Sequence, residues 1–383
     1  MKIFGYELSK IEVQNNTSEP ISIDYTPDGV EGFSLSKWTD LPYIKEERNR
    51  EWVTYGNDNL YPEYLKDMYN SSPTHQAIVK TKAQMVVGDG YTIQDDHLSE
   101  AEKINVLKII QRIDKDLYET SMDYQLYGAM AYEIIWSLDF KRVVEVNRLD
   151  ISKLRSGKFE DGSVKEWYYS RDWATQRPET VCIYTLNKGD KQNHRQILYK
   201  AGQMISNEYY GEPSYQASID WVKLESQTGL YYSSLIENGF NPSVIVKFYR
   251  KPASLDERSQ IVQGLKKSFG GVKNSGKAVV LFSDGKELAP DIQTVDVASV
   301  DKQFTVIADQ IVQKILTGER VTTPELFGIQ VPGSLGSSDF ETKVRAFTRF
   351  VIRPDQIILE DTINEILKLN GYDVKFKFNQ FTI

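Results

Sequence analysis

The feature that most constrains the fold is a periodic apolar pattern over residues 298–369 that a long irregular segment interrupts. Before Gly318, apolar residues recur at every third or fourth position: Val300, Phe304, Ile307, Ala308, Ile311, Val312 and Ile315. This spacing places them on one face of an α-helix, which we expect to end at Gly318. A second helical pattern follows residue 338, and Pro354 interrupts it because proline has no N–H to donate.

The segment between the two patterns, residues 319–338, contains three glycines and two prolines and shows no regular period. Unpatterned segments of about 20 residues are uncommon inside compact domains and are usually functional or mobile. We therefore expect a mobile functional loop here.

The rest of the chain mixes helical and strand patterns. Four helices are predicted between residues 59 and 130, and a further helix at 217–237. Short alternating runs predict an antiparallel sheet from 143 to 210, with a hairpin at Asp161-Gly162. In the insert at 241–295, the runs SVIVKFY and KAVVLF predict strands, and DVKFKFNQF predicts an edge strand. The fold class is α+β.

Composition excludes several classes of protein. The net charge of −8 argues against tight, nonspecific nucleic-acid binding over the whole surface. A single cysteine, Cys182, excludes an intrachain disulfide framework, and its apolar neighbours predict a buried side chain. Three scattered histidines form no metal or nucleophile cluster, and no apolar run is long enough for a signal peptide or a membrane span. We expect an intracellular, soluble protein without a metal, a cofactor or catalytic residues.

One motif points to a nucleotide. Gly271 to Lys277 fits the spacing of a P-loop, but Ala278 stands where a hydroxyl residue would bind Mg²⁺. A P-loop also follows a strand and opens a helix, whereas here the order is helix and then strand. A flexible basic loop is the preferred interpretation, and an NTP-binding enzyme stays as an alternative.

Several strings, in order, resemble the portal proteins of tailed, siphovirus-like bacteriophages. They are LYGAMAYEIIW, YYGEPSY, DKQFTVIADQIVQKILTG, VTTPELFGI and SSDFETKVRAFTRFVIRPDQIILEDTINEIL. Ala129 departs from the asparagine that is common in this family. On the residues alone, the small side chains at Gly128, Ala129 and Ala131 predict close helix packing.

The resemblance implies a portal fold with seven parts and an absent or vestigial crown. These are an N-terminal arm (1–58), a mixed α/β wing (59–215), a stem helix (216–238), a small α/β clip (239–297), a second stem helix (298–317), a tunnel loop (318–338), and a long kinked wing helix with a C-terminal strand (339–383).

The resemblance also implies a function without enzymatic activity. The chain would be one subunit of a ring, usually a dodecamer, at one vertex of a virion capsid, and would be assembled in the host cytoplasm. Double-stranded DNA would pass through the ring without sequence recognition during packaging and ejection. Expected protein partners are the major capsid protein, the large terminase and head-completion adaptor or tail proteins, with no membrane. Another head–tail connector protein is a second alternative.

Two groups of residues are the candidate sites. The tunnel loop would face DNA with mostly neutral side chains: Arg320, Thr322, Thr323, Gln330, Ser334 and Ser337. The clip would dock partners through basic side chains: Arg250, Lys251, Lys266, Lys267, Lys273 and Lys277. For the basic group, a solvated surface without a partner is an equally valid interpretation.

Overall fold

The computed structural model describes residues 44–95, 97–175, 177–237, 297–329 and 340–380. It also describes the backbone of residues 245–248 and 279–282, and positions 256, 259 and 260. For residues 234–237 and 297–306 the description covers the backbone alone. The P-loop-like stretch, the basic clip residues and Gln330, Ser334 and Ser337 lie outside the described residues.

Four helices form the first half of the fold: α1 (Tyr61–Ser71), α2 (Pro73–Val87), α3 (Glu100–Lys115) and α4 (Leu117–Tyr127). Their starts follow from local sequence. A proline occupies the first turn of both α1 and α2, where its missing N–H is not needed. Ser99 and Glu102 form a capping box before α3. These are the four predicted helices, and α4 ends three residues earlier than predicted.

A six-stranded sheet lies beside these helices. In spatial order its strands are β5 (Val143–Arg148), β4 (Ala129–Trp136), β11 (Arg195–Ala201), β10 (Val181–Thr185), β9 (Glu166–Tyr169) and β6 (Leu154–Ser156). Every neighbouring pair is antiparallel except β10 and β11, which pair parallel over two residues. The predicted hairpin at Asp161-Gly162 is confirmed, since it joins β7 (Phe159–Glu160) to β8 (Ser163–Val164) with positive φ at both turn residues.

Alternate residues of β4 enter two different hydrophobic clusters. Met130, Tyr132 and Ile134 pack with α2, α3 and the C-terminal helices, whereas Ala129 and Ala131 pack on the opposite side of the sheet. This follows from the two-residue period of a strand. The two alanines lie in a strand, where they are fully buried in a cluster that includes Leu65 of α1 and Val79 of α2.

Gly128 explains why α4 stops where it does. Its φ of +72° is left-handed, which ends the helix. A Cβ atom at Gly128 would collide with the backbone carbonyl of Glu212, and one at Gly211 would lie 2.5 Å from the Gly128 carbonyl oxygen. The two backbone segments touch directly, so glycine is required on both sides.

The predicted N-terminal arm does not extend to residue 58, because the chain from residue 44 onward belongs to the packed body. Strands β1 (Ile44–Glu46) and β2 (Val53–Tyr55) form an antiparallel hairpin. Val53 is fully buried and Tyr55 stacks on Tyr210, with ring centroids 3.9 Å apart. This apolar contact makes residues 44–58 part of the packed body.

Two long helices follow. Helix α5 (Ile219–Glu237) begins at the body, and helix α6 (Val297–Gly318) ends there. Both agree with the predicted stem helices to within about two residues. Between them, β12 (Ile245–Phe248) pairs in parallel with β13 (Val279–Phe282), which confirms the two predicted strands.

The final helices form one nearly continuous rod. Helix α7 (Phe340–Phe347) passes through a π-helical turn at Thr348–Ile352 into α8 (Arg353–Leu369). Pro354 is in the first turn of α8, where no N–H is required. At the position of the predicted proline break, the chain therefore makes a π-helical turn and the helix continues. Strand β14 (Lys375–Phe378) then pairs with β3 (Tyr91–Gln94), burying Phe376 and Phe378 and leaving both lysines exposed.

Replacing Gly128 with Ala tests the close backbone contact. Left-handed φ costs a non-glycine residue about 1–2 kcal/mol, and the collision with Glu212 adds about 1–3 kcal/mol. We expect G128A to lower the free energy of unfolding by about 2–5 kcal/mol in urea titrations followed by circular dichroism.

Gly328 supplies a matched control, because its φ is +71° and a Cβ there would meet nothing within 4 Å. G328A should lose only about 1–2 kcal/mol. Equal losses in the two variants would contradict the close contact.

Candidate functional site

The two long helices join the body at a cluster of buried and half-buried residues, most of which have polar or charged side chains. We call it the stem junction, and it consists of His75, Lys82, Glu225, Gly318 and Glu319. Two of these residues come from α2, one from α5, and two from the end of α6 and the residue after it. The junction therefore connects three helices that are far apart in sequence.

Glu319 is the centre of the stem junction. Its side chain is 1% exposed, and its two carboxylate oxygens have different partners. Oε1 lies 2.7 Å from His75 Nδ1, and Oε2 accepts a hydrogen bond of 2.6 Å from Lys82 Nζ. Lys82 is itself 2% exposed. A buried carboxylate and a buried ammonium thus neutralise each other at the end of α6.

The balance of forces on Glu319 favours the ionised form. Burial alone would raise the pKa of the carboxyl, but the Lys82 ammonium and the His75 hydrogen bond outweigh burial and lower the pKa to about 2. The carboxylate is therefore charged throughout the neutral pH range. It provides a fixed negative charge, whereas a general acid would need a pKa near neutrality.

His75 holds Glu319 from the other side. Its Nε2 is buried and has no hydrogen-bond partner among the described residues. Because a carboxylate oxygen can only accept, the hydrogen bond with Glu319 requires a proton on His75 Nδ1. The Tyr215 ring packs edge-on against His75, with centroids 4.3 Å apart, which fixes the plane of the imidazole.

Glu225 attaches α5 to the start of α2. Its carboxylate accepts hydrogen bonds from the Ser72 hydroxyl, the Thr74 hydroxyl (2.5 Å) and the Thr74 backbone N–H (3.3 Å). Ser72 is the N-cap of α2, so a negative charge sits at the positive end of this helix dipole. Helix α5 is thereby bound to the body through a charged contact.

Gly318 allows α6 to approach the start of α5. A Cβ at this position would lie 2.5 Å from Ser218 Cβ, and Ser218 is 2% exposed. The sequence predicted Gly318 as a helix stop. Its second role is to let the end of α6 pack closely against the Ser218 side chain.

The segment that begins at Glu319 is packed over its first eleven residues, 319–329. Residues Pro324–Phe327 form a 3₁₀ turn, and the buried Phe327 ring meets Phe347 edge-on at 5.4 Å. The prediction of an irregular, mobile loop is therefore wrong for residues 319–329, because apolar and ionic contacts hold them. Residues 330–338 lie outside the described residues.

Three predicted tunnel-loop residues are described, and their positions differ. Arg320 is exposed and donates a 3.1 Å hydrogen bond to the Phe350 carbonyl in the π-turn. Thr322 is exposed and its hydroxyl donates to the Lys343 carbonyl at 3.4 Å. Thr323 is 2% exposed. Its hydroxyl is thus inside this subunit and does not face solvent.

Sequence reasoning missed most of the stem junction, although one signal was present. Lys82 lies on the apolar stripe of α2 with Ile78 and Met85. A lysine in such a stripe needs a buried partner of opposite charge. The partner Glu319 is 237 residues away, and no local pattern identifies it.

No group of three or more potential metal ligands occurs among the described residues. Cys182 is exposed on β10, so its predicted burial is wrong: residues 181, 182 and 184 are on the solvent side, and Ile183 is buried. Partial desolvation and the nearby Glu166 carboxylate raise the pKa of the thiol to about 12, which keeps it protonated.

None of the described helices combines the length and the apolar content that a membrane crossing needs.

Comparison with known proteins gives one family. The family described as phage portal protein matches residues 117–382. No curated protein matches the chain.

Solved structures share the fold at low sequence identity. A chain from the neck of an empty gene transfer agent particle, computed with C6 symmetry, aligns with a TM-score of 0.57 and 16% identity over 83% of this chain and 84% of that chain. A chain from the neck of the native particle, computed with C12 symmetry, aligns with a TM-score of 0.54 and 15% identity over 83% of both chains. An HK97-family phage portal protein from Corynebacterium diphtheriae aligns with a TM-score of 0.42 and 11% identity, over 81% of this chain and 93% of that chain.

Replacing Glu319 with Gln tests the stem junction. Removing one partner of a buried ion pair leaves an uncompensated charge, here the Lys82 ammonium, and costs about 3–5 kcal/mol. We expect E319Q to lower the free energy of unfolding by that amount in urea titrations. A loss similar to that of Glu341→Gln, which removes an exposed pair with Arg345, would contradict the assignment.

Two further measurements separate charge from shape. The double variant K82M/E319L should recover most of the loss, because it removes both charges. The folded pKa of Glu319 lies below its ordinary value of 4.5, so its stabilisation is complete above about pH 4.5 and is lost as the pH falls toward 2. Over that interval E319Q should lose less stability than the native chain.

Proposed function

The chain belongs to the phage portal protein family, and from this membership we propose how its stem junction serves a ring-shaped DNA channel at one capsid vertex. A portal subunit contributes one sector of that channel. The observation that carries the proposal is the buried Glu319–Lys82 ion pair with His75, located where α6 ends. It fixes the direction in which the two long helices leave the body, and that direction must be the same in every subunit for a ring to close.

Ring formation has support from the exposed apolar residues of the two helices. Leu230 on α5 is 64% exposed and Ile307 on α6 is 41% exposed. Each lies eleven residues from the body end of its helix, about 16 Å along the axis at 1.5 Å per residue. We propose that neighbouring subunits cover these side chains in a dodecamer, in keeping with the C6 and C12 symmetries of the gene transfer agent necks.

The channel-facing segment is proposed to be residues 330–338, which α6 and the packed residues 319–329 would direct toward the ring axis. Gln330, Ser334 and Ser337 are neutral and would add little attraction for phosphates, so DNA could slide past them. Arg320 and Thr322 lie on the surface beside this segment and remain candidates for DNA contact, whereas buried Thr323 does not.

The insert between α5 and α6 is proposed as the docking surface for the large terminase and for head-completion proteins. Its basic residues, from Arg250 to Lys277, would attract acidic partner surfaces, and such contacts weaken with salt. The major capsid protein would surround the wing. The family is structural, and we propose no reaction for the chain.

Replacing the exposed apolar residues should weaken the ring. Burial of a leucine or isoleucine side chain contributes about 1.5–3 kcal/mol, so each lost contact weakens subunit association by roughly 10- to 150-fold. We expect Leu230→Lys and Ile307→Lys to shift rings toward monomers in mass photometry.

Leu138→Lys is the control, since Leu138 is 92% exposed in the turn between β4 and β5. If the native chain were monomeric at every concentration, or if the two stem variants formed rings as well as Leu138→Lys, the proposed interface would be wrong.

Deleting residues 332–336 tests the channel segment. The contacts that hold 319–329 on the body among the described residues involve Lys343, Phe347 and Phe350, all outside the deletion, so we expect rings to assemble normally. We expect packaging or retention of DNA to fall, measured as nuclease-protected DNA per particle in complementation of a portal-deficient phage. Full-length, stably retained DNA in the deletion variant would reduce the segment to a passive linker.

A further inference from the structure

The rod formed by α7, the π-turn and α8 carries an exposed apolar strip on the side that faces away from the body. Phe350 is 63% exposed, Ile357 is 42% exposed, and exposed Pro354 lies between them. Spacings of four and three residues place these side chains on one helix face, about 10 Å long at 1.5 Å per residue. We call this face the rod strip. It includes none of the stem-junction residues.

The π-turn is what directs Phe350 outward. Buried Phe347 is followed by buried Ile352, five residues later, whereas a regular helix would repeat after three or four. The Arg353 N–H bonds to the Thr348 carbonyl, which is the wider spacing of a π-helix. This extra residue shifts the phase of the helix, so Phe350 lies opposite the buried positions of α8.

A residue with an unfavourable backbone conformation supports this turn. Arg320 has a φ of +59°, at the left-handed position after α6 where glycine is usual. The Val321 N–H bonds to the Leu316 carbonyl there, as in a Schellman motif. The Arg320 guanidinium donates to the Phe350 carbonyl, to which Pro354 has no N–H to offer. A side chain is thus kept at a position that favours glycine.

Three unfavourable features therefore meet at one place: a π-turn, a left-handed arginine and an aromatic ring in solvent. Single π-turns within helices and strained backbone positions occur most often at functional sites. The Arg349 guanidinium also lies over the Phe350 ring, 5.8 Å from its centroid. The fold thus holds Phe350 in a defined outward position, as a contact residue requires.

We propose that the rod strip packs against the next copy of this chain, as an interface additional to that of the two long helices. This interface presupposes the proposed ring. Stable protein interfaces bury about 800 Å² on each partner. Leu230 and Ile307 supply only two aliphatic side chains toward that area. A buried phenylalanine adds about 150–250 Å², so the rod strip provides apolar surface that the long helices lack.

The chemistry of the rod strip favours a protein partner over DNA. Its three side chains carry neither a charge nor a hydrogen-bond donor, whereas proteins hold the outside of duplex DNA mainly through its phosphates. Apolar side chains engage a duplex by wedging between base steps, which kinks the DNA and would oppose its sliding. Burial against an apolar protein surface is the favourable alternative for Phe350.

The test places the photo-crosslinking amino acid p-benzoylphenylalanine at position 350, where it keeps an aromatic ring. Purified rings are irradiated with and without added duplex DNA and then denatured, and the covalent products are separated by size. We expect a ladder of two or more linked chains, because the neighbouring copy lies within reach of the side chain. The same amino acid in place of Leu138, in the exposed turn between β4 and β5, should leave single chains.

Failure of this interface is distinguishable from failure of the ring. Intact rings that give only single chains or DNA adducts from position 350 would overturn the rod strip as an interface and leave the ring in place. Ladders of equal strength from positions 350 and 138 would also overturn it, since adducts would then form without a specific contact. A native chain that forms no rings would overturn both proposals.

Phe350→Gln measures the same contact without a label. The ring is exposed in the single subunit, so the unfolding midpoint of dissociated subunits should not fall. Losing the burial of the exposed 63% of this residue should weaken subunit association by about 5- to 25-fold, seen as loss of rings on dilution in mass photometry. Leu138→Gln is the matched control and should keep native ring stability. Equal ring stability in Phe350→Gln and the native chain would contradict the proposal.

Discussion

The rest of the structure depends on one buried ionic contact, in which Glu319 lies between Lys82 and His75. Excluded from water, the Glu319 carboxylate is stable only with both partners in place. Its position requires α2 and the end of α6 to be correctly docked at the same time. A hydrophobic contact would tolerate a shift along the helix axis, whereas this contact does not. The direction of the two long helices is therefore specified by charge. The apolar contacts of Ile311 and Ile315 stabilise the packing of α6 on the body but do little to fix its position along the helix axis.

The stem junction is also connected to the rod formed by α7, the π-turn and α8. The connection is made by Arg320, the residue after Glu319. A π-turn leaves a carbonyl without its usual i+4 partner, and Arg320 binds one such carbonyl, that of Phe350. Within α8, Arg353 pairs with Glu360 at 2.6 Å, and Glu360 also accepts from the Phe378 backbone N–H. A chain of polar contacts thus connects the end of α6, the π-turn and the last strand.

Local patterns predicted nearly all of the helices and most of the strands, because each pattern reports the environment of neighbouring residues. They also predicted the helix end at Gly318 and the two long helices. They did not predict the stem junction, since Glu319 and Lys82 meet only through the tertiary fold. The arm boundary failed for the same reason: Tyr55 is buried by Tyr210, far along the chain. The helix break predicted at Pro354 is absent because the effect of a proline depends on the turn before it. Here the preceding turn is π-helical, and the helix continues without a break.

The pairing of β3 with β14 has a consequence for biosynthesis. Among the described residues, 91–94 pair only with residues 375–378, so about 280 residues must be translated between the two strands. At about 5–20 residues per second, β3 waits roughly 15–60 s on the ribosome with its edge and the adjacent apolar surface uncovered. A subunit interrupted before residue 375 cannot complete this layer. Nascent and truncated chains therefore differ from full-length ones by an unpaired β3 edge. This difference matters for a ring assembly, in which one defective subunit would impair the whole ring.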